Sequence, residues 1–120
     1  MELRRGEKRL RLLALRDTGN TLKDPVTGKG ILVADAQSAE TLLGLTKAQL
    51  SDPVGTVESG ILPGLRLIPY HTIDRSQGMM LGLWVKEARV GRQRGGVLVA
   101  LAPEELSQDG SVQALTGGTV

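Results

Sequence analysis

Asp17, Thr18, Gly19 and Asn20 follow the apolar run Leu12-Leu13-Ala14-Leu15 after a single Arg. These residue types define a chemistry. A carboxyl group in a tight loop can carry proton traffic, and Gly lets the backbone turn and approach a neighbour. The Thr hydroxyl can hydrogen-bond within or across the loop. At average residue usage such a tripeptide arises by chance in about one chain in forty of this length. Its position after an apolar strand, in a chain of 120 residues, makes it more specific. The same residues are also good turn chemistry, with Asp and Asn accepting backbone hydrogen bonds and Gly at positive φ.

Peptide hydrolysis by carboxyl groups alone needs two of them about 3 Å apart, sharing one proton, because like charges that close cannot both ionise. The ionised member takes a proton from water while the protonated member donates to the substrate carbonyl. The chain holds one Asp-Thr-Gly, and Asp24, Asp35 and Asp74 fall in turn or cap contexts. A second copy must supply the twin, so a symmetric homodimer with Asp17 on its axis is expected. Other chemistries find little to work with. There is no Cys for a disulfide or thiolate zinc site, and the single His71 argues against a His-based metal cluster or a Ser-His-Asp triad within one chain. No metal and no cofactor is expected.

Sixteen Gly and five Pro favour many turns, and with no Phe, one Tyr and one Trp the core must be aliphatic. From Arg9 to Leu15 the pattern reads as a strand entering a buried sheet. Asp24-Pro25-Val26-Thr27-Gly28 is a turn, and residues 30–34 resume as a strand, forming a hairpin-like arm beyond the loop. Asp35 can cap a helix with Ala39, Leu42 and Leu43 on its apolar face, stopped by Gly44, and Thr46 with Gln49 has capping-box spacing for a second. Residues 51–64 read as a polar loop. Residues 66–73 and 79–85 form a hairpin around a turn at 74–78, with Pro69 marking an edge strand. Within it, Tyr70 and His71 stand where a flap closing over substrate could use them. Tyr70 is equally consistent with an amphipathic strand residue, and His71 with an exposed residue near a turn. Met79 and Met80 read as packing residues and Trp84 as a core anchor. A basic turn, Arg92 to Gly96, precedes the apolar strand 97–101.

Charge is uneven. Arg4, Arg5, Lys8, Arg9, Arg11 and Arg16 face only Glu2 and Glu7 within the first sixteen residues. Such a run is a solvated face or a segment beside a membrane, where Lys and Arg accumulate on the cytoplasmic side. Nucleic-acid binding through this arm and the Arg92-Gln93-Arg94 turn is a third reading, but stacking aromatics are missing and no specific nucleic acid is expected. No stretch is long enough to span a bilayer and no signal peptide is visible, so any membrane tether lies outside this chain and the fragment alone is expected to be soluble. Residues 1–8 read as a basic linker, 9–116 as one folded domain and 117–120 as a frayed tail.

The segment from Ala14 through Asp17-Thr18-Gly19-Asn20 to Asp24-Pro25 resembles the catalytic segment of the sporulation sigma-E factor-processing peptidases, membrane-embedded aspartic peptidases of endospore-forming bacteria. The likeness continues through Arg66-Leu67-Ile68-Pro69-Tyr70-His71-Thr72-Ile73 and Val97-Leu98-Val99-Ala100-Leu101, and ends near Leu106 to Gly110 and Gln113-Ala114-Leu115. It covers the family's cytosolic C-terminal domain. The resemblance implies a mostly β, retroviral-protease-like (retropepsin) closed β-barrel with one or two short helices, acting as a homodimer. It implies removal of the pro-sequence of a sigma-factor precursor at the cytoplasmic face of the cell membrane, in response to a signal protein from the forespore. By the same resemblance Asp17 is catalytic, Thr18 supports the loop across the dimer axis, and Gly19 lets the loops approach. Asn20 stands where retroviral relatives have Ala or Ser but agrees with the sporulation family. Ala100 stands where the retroviral pattern has Gly before a C-terminal helix, which leaves that supporting element unplaced. A catalytically silent β-barrel binding module that keeps the loop as structure is the alternative.

Overall fold

The apolar strand at 97–101 splits its side chains between two cores, and this division organises the molecule. In the computed structural model, which describes residues 1–16, 22–24, 26–71, 77–107, 109 and 112–116, it is part of β7 (Gln93–Leu101). Val97, Val99 and Leu101 join one buried cluster, while Leu98 and Ala100 join another on the opposite face of the sheet. Strand β4 (Leu32–Ala34) alternates in the same way, with Leu32 and Ala34 in the first cluster and Val33 in the second. This is the period-two pattern of a strand buried on both faces.

The other strands are β1 (Glu2–Arg5), β2 (Lys8–Arg11), β3 (Ala14–Arg16), β5 (Arg66–His71), β6 (Gln77–Val90) and β8 (Ala114–Thr116). The sheet runs β2-β1-β6-β7-β4-β8-β3, with β5 paired to β6 off this path. Its two end strands, β2 and β3, are separated in sequence by Leu12 and Leu13 alone. Three backbone steps reach at most about 11 Å, so the sheet has to curl until its ends approach. The result is a curled half-barrel, mostly β and consistent with the expected barrel, in which β2 and β3 are not paired among the described residues.

Three short helices cover the first cluster. Helix α1 (Ala36–Leu43) starts where the Asp35 side chain accepts from the Ser38 N–H and stops at Gly44, whose φ of 74° only Gly adopts without strain. Helix α2 (Lys47–Ser51) carries the expected Thr46/Gln49 capping box. The expected loop at 51–64 contains a third helix, α3 (Pro53–Ser59), capped by Asp52 and closed by Gly60 at φ 66°. Pro at the first helical position and Gly just past the last are start and stop signals; read singly, they pass for loop residues. Ala36, Ala39, Leu42, Leu45 and Leu50 pack from the helical layer into the first cluster.

Several expectations change. The single strand expected at 9–15 is broken at Leu12-Leu13, where Leu12 turns into the first core and its N–H bonds the Met1 carbonyl at 2.8 Å. The first eight residues, expected as a linker, hold β1 and the start of β2 within the sheet, with Leu3 buried. Trp84, expected as a core anchor, is 36% exposed. Pro69 does lie on a strand that pairs on one side only. No helix among the described residues is long and apolar enough to cross a membrane.

Candidate active site

Strand β3 ends at Arg16, one residue before Asp17. Its position is fixed from the C-terminal end of the chain. The Gln113 N–H donates to the Leu13 carbonyl at 3.0 Å, and the Gln113 side-chain Oε1 accepts from the Leu13 N–H at 3.0 Å. The Gln113 carbonyl then accepts from the Asp35 N–H at 2.9 Å, tying this clamp to the start of α1. Immediately after it, β8 runs parallel to β3 and antiparallel to β4, pairing Leu115 with both Leu15 and Val33. A C-terminal strand is thus inserted beside the lead-in to the loop. No helix follows β7 among the described residues.

Beyond the loop the chain returns at Leu22, whose carbonyl accepts from the Ile31 N–H. Asp24 is buried, and its Oδ1 accepts from the Val26 N–H while its carbonyl accepts from the Gly28 N–H. This is the turn role expected of it. Leu22, Tyr70, Leu106 and Leu115 all pack on the second cluster, around Ile68 and Met80. The β5–β6 hairpin and the segment that leaves the loop therefore share one apolar floor. Tyr70 pairs with Gly78, and a Cβ at Gly78 would sit 2.5 Å from the Tyr70 ring, so Gly leaves room for that ring.

Asp17, Thr18, Gly19 and Asn20 lie outside the described residues, as does the hairpin turn at 72–76. His71 is placed by its backbone alone, at the end of β5 opposite Gln77. The structure brings together what brackets the expected site: β3 before the loop, Leu22 after it, and Tyr70 across the same cluster. The sequence singles out Gln113 only as part of the block Gln113-Ala114-Leu115 that resembles the family, and its role as a clamp emerges from the structure alone. On the helical side, Glu105 lines an open recess of about 500 Å³ with Lys47, Ser51 and Glu104. Its carboxyl is raised above the usual range by desolvation first, then by a hydrogen bond and repulsion from Asp35, against the opposing pull of Lys47. Among the described residues no group of three or more His, Asp or Glu is placed to hold a metal ion.

Residues 1–118 match the family model described as sporulation factor SpoIIGA, peptidase U4. The chain belongs to the SpoIIGA family. It is 24% identical over 125 residues to the sporulation sigma-E factor-processing peptidase of Bacillus subtilis (strain 168), a match covering 92% of this chain. The match spans 40% of that relative's length. No solved structure matches the chain. Membership in SpoIIGA thus makes this a peptidase-family domain, and the blocks of the resemblance include β3, β5, the end of β7 and the start of β8.

Proposed function

We propose that this domain is half of an aspartic endopeptidase, completed by a second copy, that removes the pro-sequence of a sigma-factor precursor. One observation carries the pairing. The strand that leads into Asp17 lies at an end of the sheet and exposes Leu15 at 52%, with Leu13 just before it exposed at 63%. The opposite end strand, β2, carries Lys8, Arg9 and Arg11, the usual protection against unwanted strand pairing. An apolar edge beside the Asp-Thr-Gly loop is what a symmetric partner would cover. Family membership and the name of the Bacillus relative support the peptidase and its substrate class. The retropepsin-like arrangement, the membrane tether at the cytoplasmic face and a forespore signal follow from the same resemblance.

In this reading each copy contributes one Asp17 carboxyl. The ionised one takes a proton from water as the water oxygen attacks the scissile carbonyl carbon, and the protonated one donates to the carbonyl oxygen. Collapse of the tetrahedral species breaks the C–N bond, with a proton passing to the leaving nitrogen. Thr18 and Gly19 hold and space the paired loops, and Tyr70 and His71 close over the substrate from the hairpin. The test is co-expression of the membrane-attached form with its candidate precursor. Asp17→Asn is expected to lower cleavage by at least about a hundredfold with an unchanged thermal melt. Cleavage that survives the substitution removes Asp17 from the mechanism, and a wild-type chain that cleaves nothing leaves the silent binding module as the better account.

A further inference from the structure

The two basic segments of the sequence, 80 residues apart, form one surface. In the register of the sheet, Arg9, Arg4 and Glu87 make one row, and Arg11, Glu2, Arg89 and Arg94 make the next. Both rows lie on the face opposite Leu3 and Ala88, which point into the first core. The surface spans four strands, about 15 Å across. Between its two hairpins is an open recess of about 250 Å³ lined by Met1, Glu2, Arg11, Arg89 and Gly91.

This arrangement opposes folding on its own. Arg4 stands directly across from Arg9, Arg5 from Lys8, and Arg89 from Arg94, and like charges in that position destabilise a sheet. The available carboxylates relieve part of it: Glu2 pairs with Arg9 at 3.2 Å and Arg11 at 3.6 Å, and Glu87 with Arg4 at 3.5 Å. Edge protection accounts for the cations of β2, but Arg89 and Arg94 lie on interior strands. The imbalance extends over the molecule. Residues 1–11 and 86–94 hold nine of the fifteen Lys and Arg but three of the thirteen Asp and Glu. That end therefore carries a formal excess of six positive charges and the remainder an excess of four negative ones, within a net +2. A chain polarised in this way is oriented by an extended anionic surface, not only attracted to it.

We propose that the end of the sheet built by β2, β1, the distal half of β6 and the first half of β7 docks on an anionic phospholipid bilayer. The cations are spread over a sheet face instead of forming a ridge or helix that could enter a duplex groove. Single strands would require stacking aromatics along the path. The one aromatic nearby is Trp84, on the same face with its ring over Gly96 and partly exposed, which suits the edge of a headgroup layer.

The experiment is co-sedimentation of the 120-residue chain with phosphatidylcholine vesicles, with and without phosphatidylglycerol. Binding is expected only with the anionic lipid. Arg89→Gln with Arg94→Gln should lower the partition constant on the order of 25-fold, about fivefold for each cation. Arg9→Gln with Arg11→Gln should behave alike. Lys29→Gln with Lys47→Gln, which removes the same charge elsewhere, should change binding by no more than about twofold. The melt of the Arg89/Arg94 variant is expected at or above the wild type, since a like-charge pair is gone. Trp84 fluorescence is expected to be quenched by brominated lipid. Equal binding to neutral vesicles, equal losses in the control pair, binding untouched by both platform pairs, an unquenched Trp84, or tighter binding to duplex DNA at equal phosphate concentration would each overturn the proposal.

Discussion

Glu105 and Gln113 hold the two sides of the same junction, one through a proton and one through an amide. Glu105 has its carboxyl raised by desolvation and by Asp35, which is 1% exposed and caps α1. A carboxyl raised on folding stabilises the fold fully below its unfolded value, and that contribution fades as pH rises through the folded value. Glu105→Gln keeps a donor toward Asp35 at every pH. The stability of the variant relative to wild type is therefore expected to rise as pH climbs above the ordinary carboxylate value of 4.5, by less than about 1 kcal/mol because the group is exposed. A difference independent of pH would mean the contact is absent. Gln113→Ala removes the side-chain acceptor for the Leu13 N–H, one of the two bonds between Gln113 and Leu13 at the start of the lead-in to Asp17. Its expected cost is about 0.5–1 kcal/mol in chemical denaturation, with a larger proportional loss of precursor cleavage because the loop's lead-in is loosened.

Elements whose signals are local were legible in the sequence. Asp35, Gly44, Thr46 and Gln49 each satisfy backbone groups within a few residues, and α1 and α2 stand where those residues put them. Helix α3 was hidden because Pro53, Gly55 and Gly60 are the letters of a loop as much as of a short capped helix. The hairpin β5–β6 was read correctly in kind, but β6 runs to 14 residues because its distal half pairs with β1, a partner the sequence does not announce. Long-range register of this kind also hid the exposure of Trp84 and the joining of the basic segments. The hairpin that carries Tyr70 is legible in the sequence and Asp17 lies outside the described residues, while the Gln113 clamp joins residues 100 positions apart, a contact no local pattern announces. Gly96 offers a check on β6–β7. A Cβ there would lie 2.2 Å from the Trp84 ring, so Gly96→Ala must turn the indole aside. The expected cost is about 1–3 kcal/mol, with a shifted Trp84 emission; an unshifted spectrum would place the ring elsewhere.

For the whole molecule the decisive quantity is the strength of pairing. A three-residue edge strand with exposed Leu15, and Leu13 just before it, offers a small contact, so the isolated domain should be monomeric or weakly dimeric in dilute solution. Confining two copies to a membrane raises their effective concentration without new contacts, which under the proposed pairing would couple activity to attachment. Leu15 tests this without disturbing the monomer, because a side chain already half exposed loses little on truncation. In the proposed homodimer two-fold symmetry would place Leu15 in the interface twice, and each buried leucine contributes about 1.5–3 kcal/mol. Leu15→Ser is therefore expected to raise the dimer dissociation constant by at least about a hundredfold while leaving the thermal melt of the dilute monomer within about 0.5 kcal/mol. Sedimentation across concentrations measures the first and denaturation the second. Cleavage by the dilute domain should fall with the square of chain concentration and drop further in the variant, whereas tethered copies should retain part of their activity. A tight dimer at low concentration, or pairing indifferent to Leu15, would move the symmetric contact off β3 and leave the apolar edge to a different occupant.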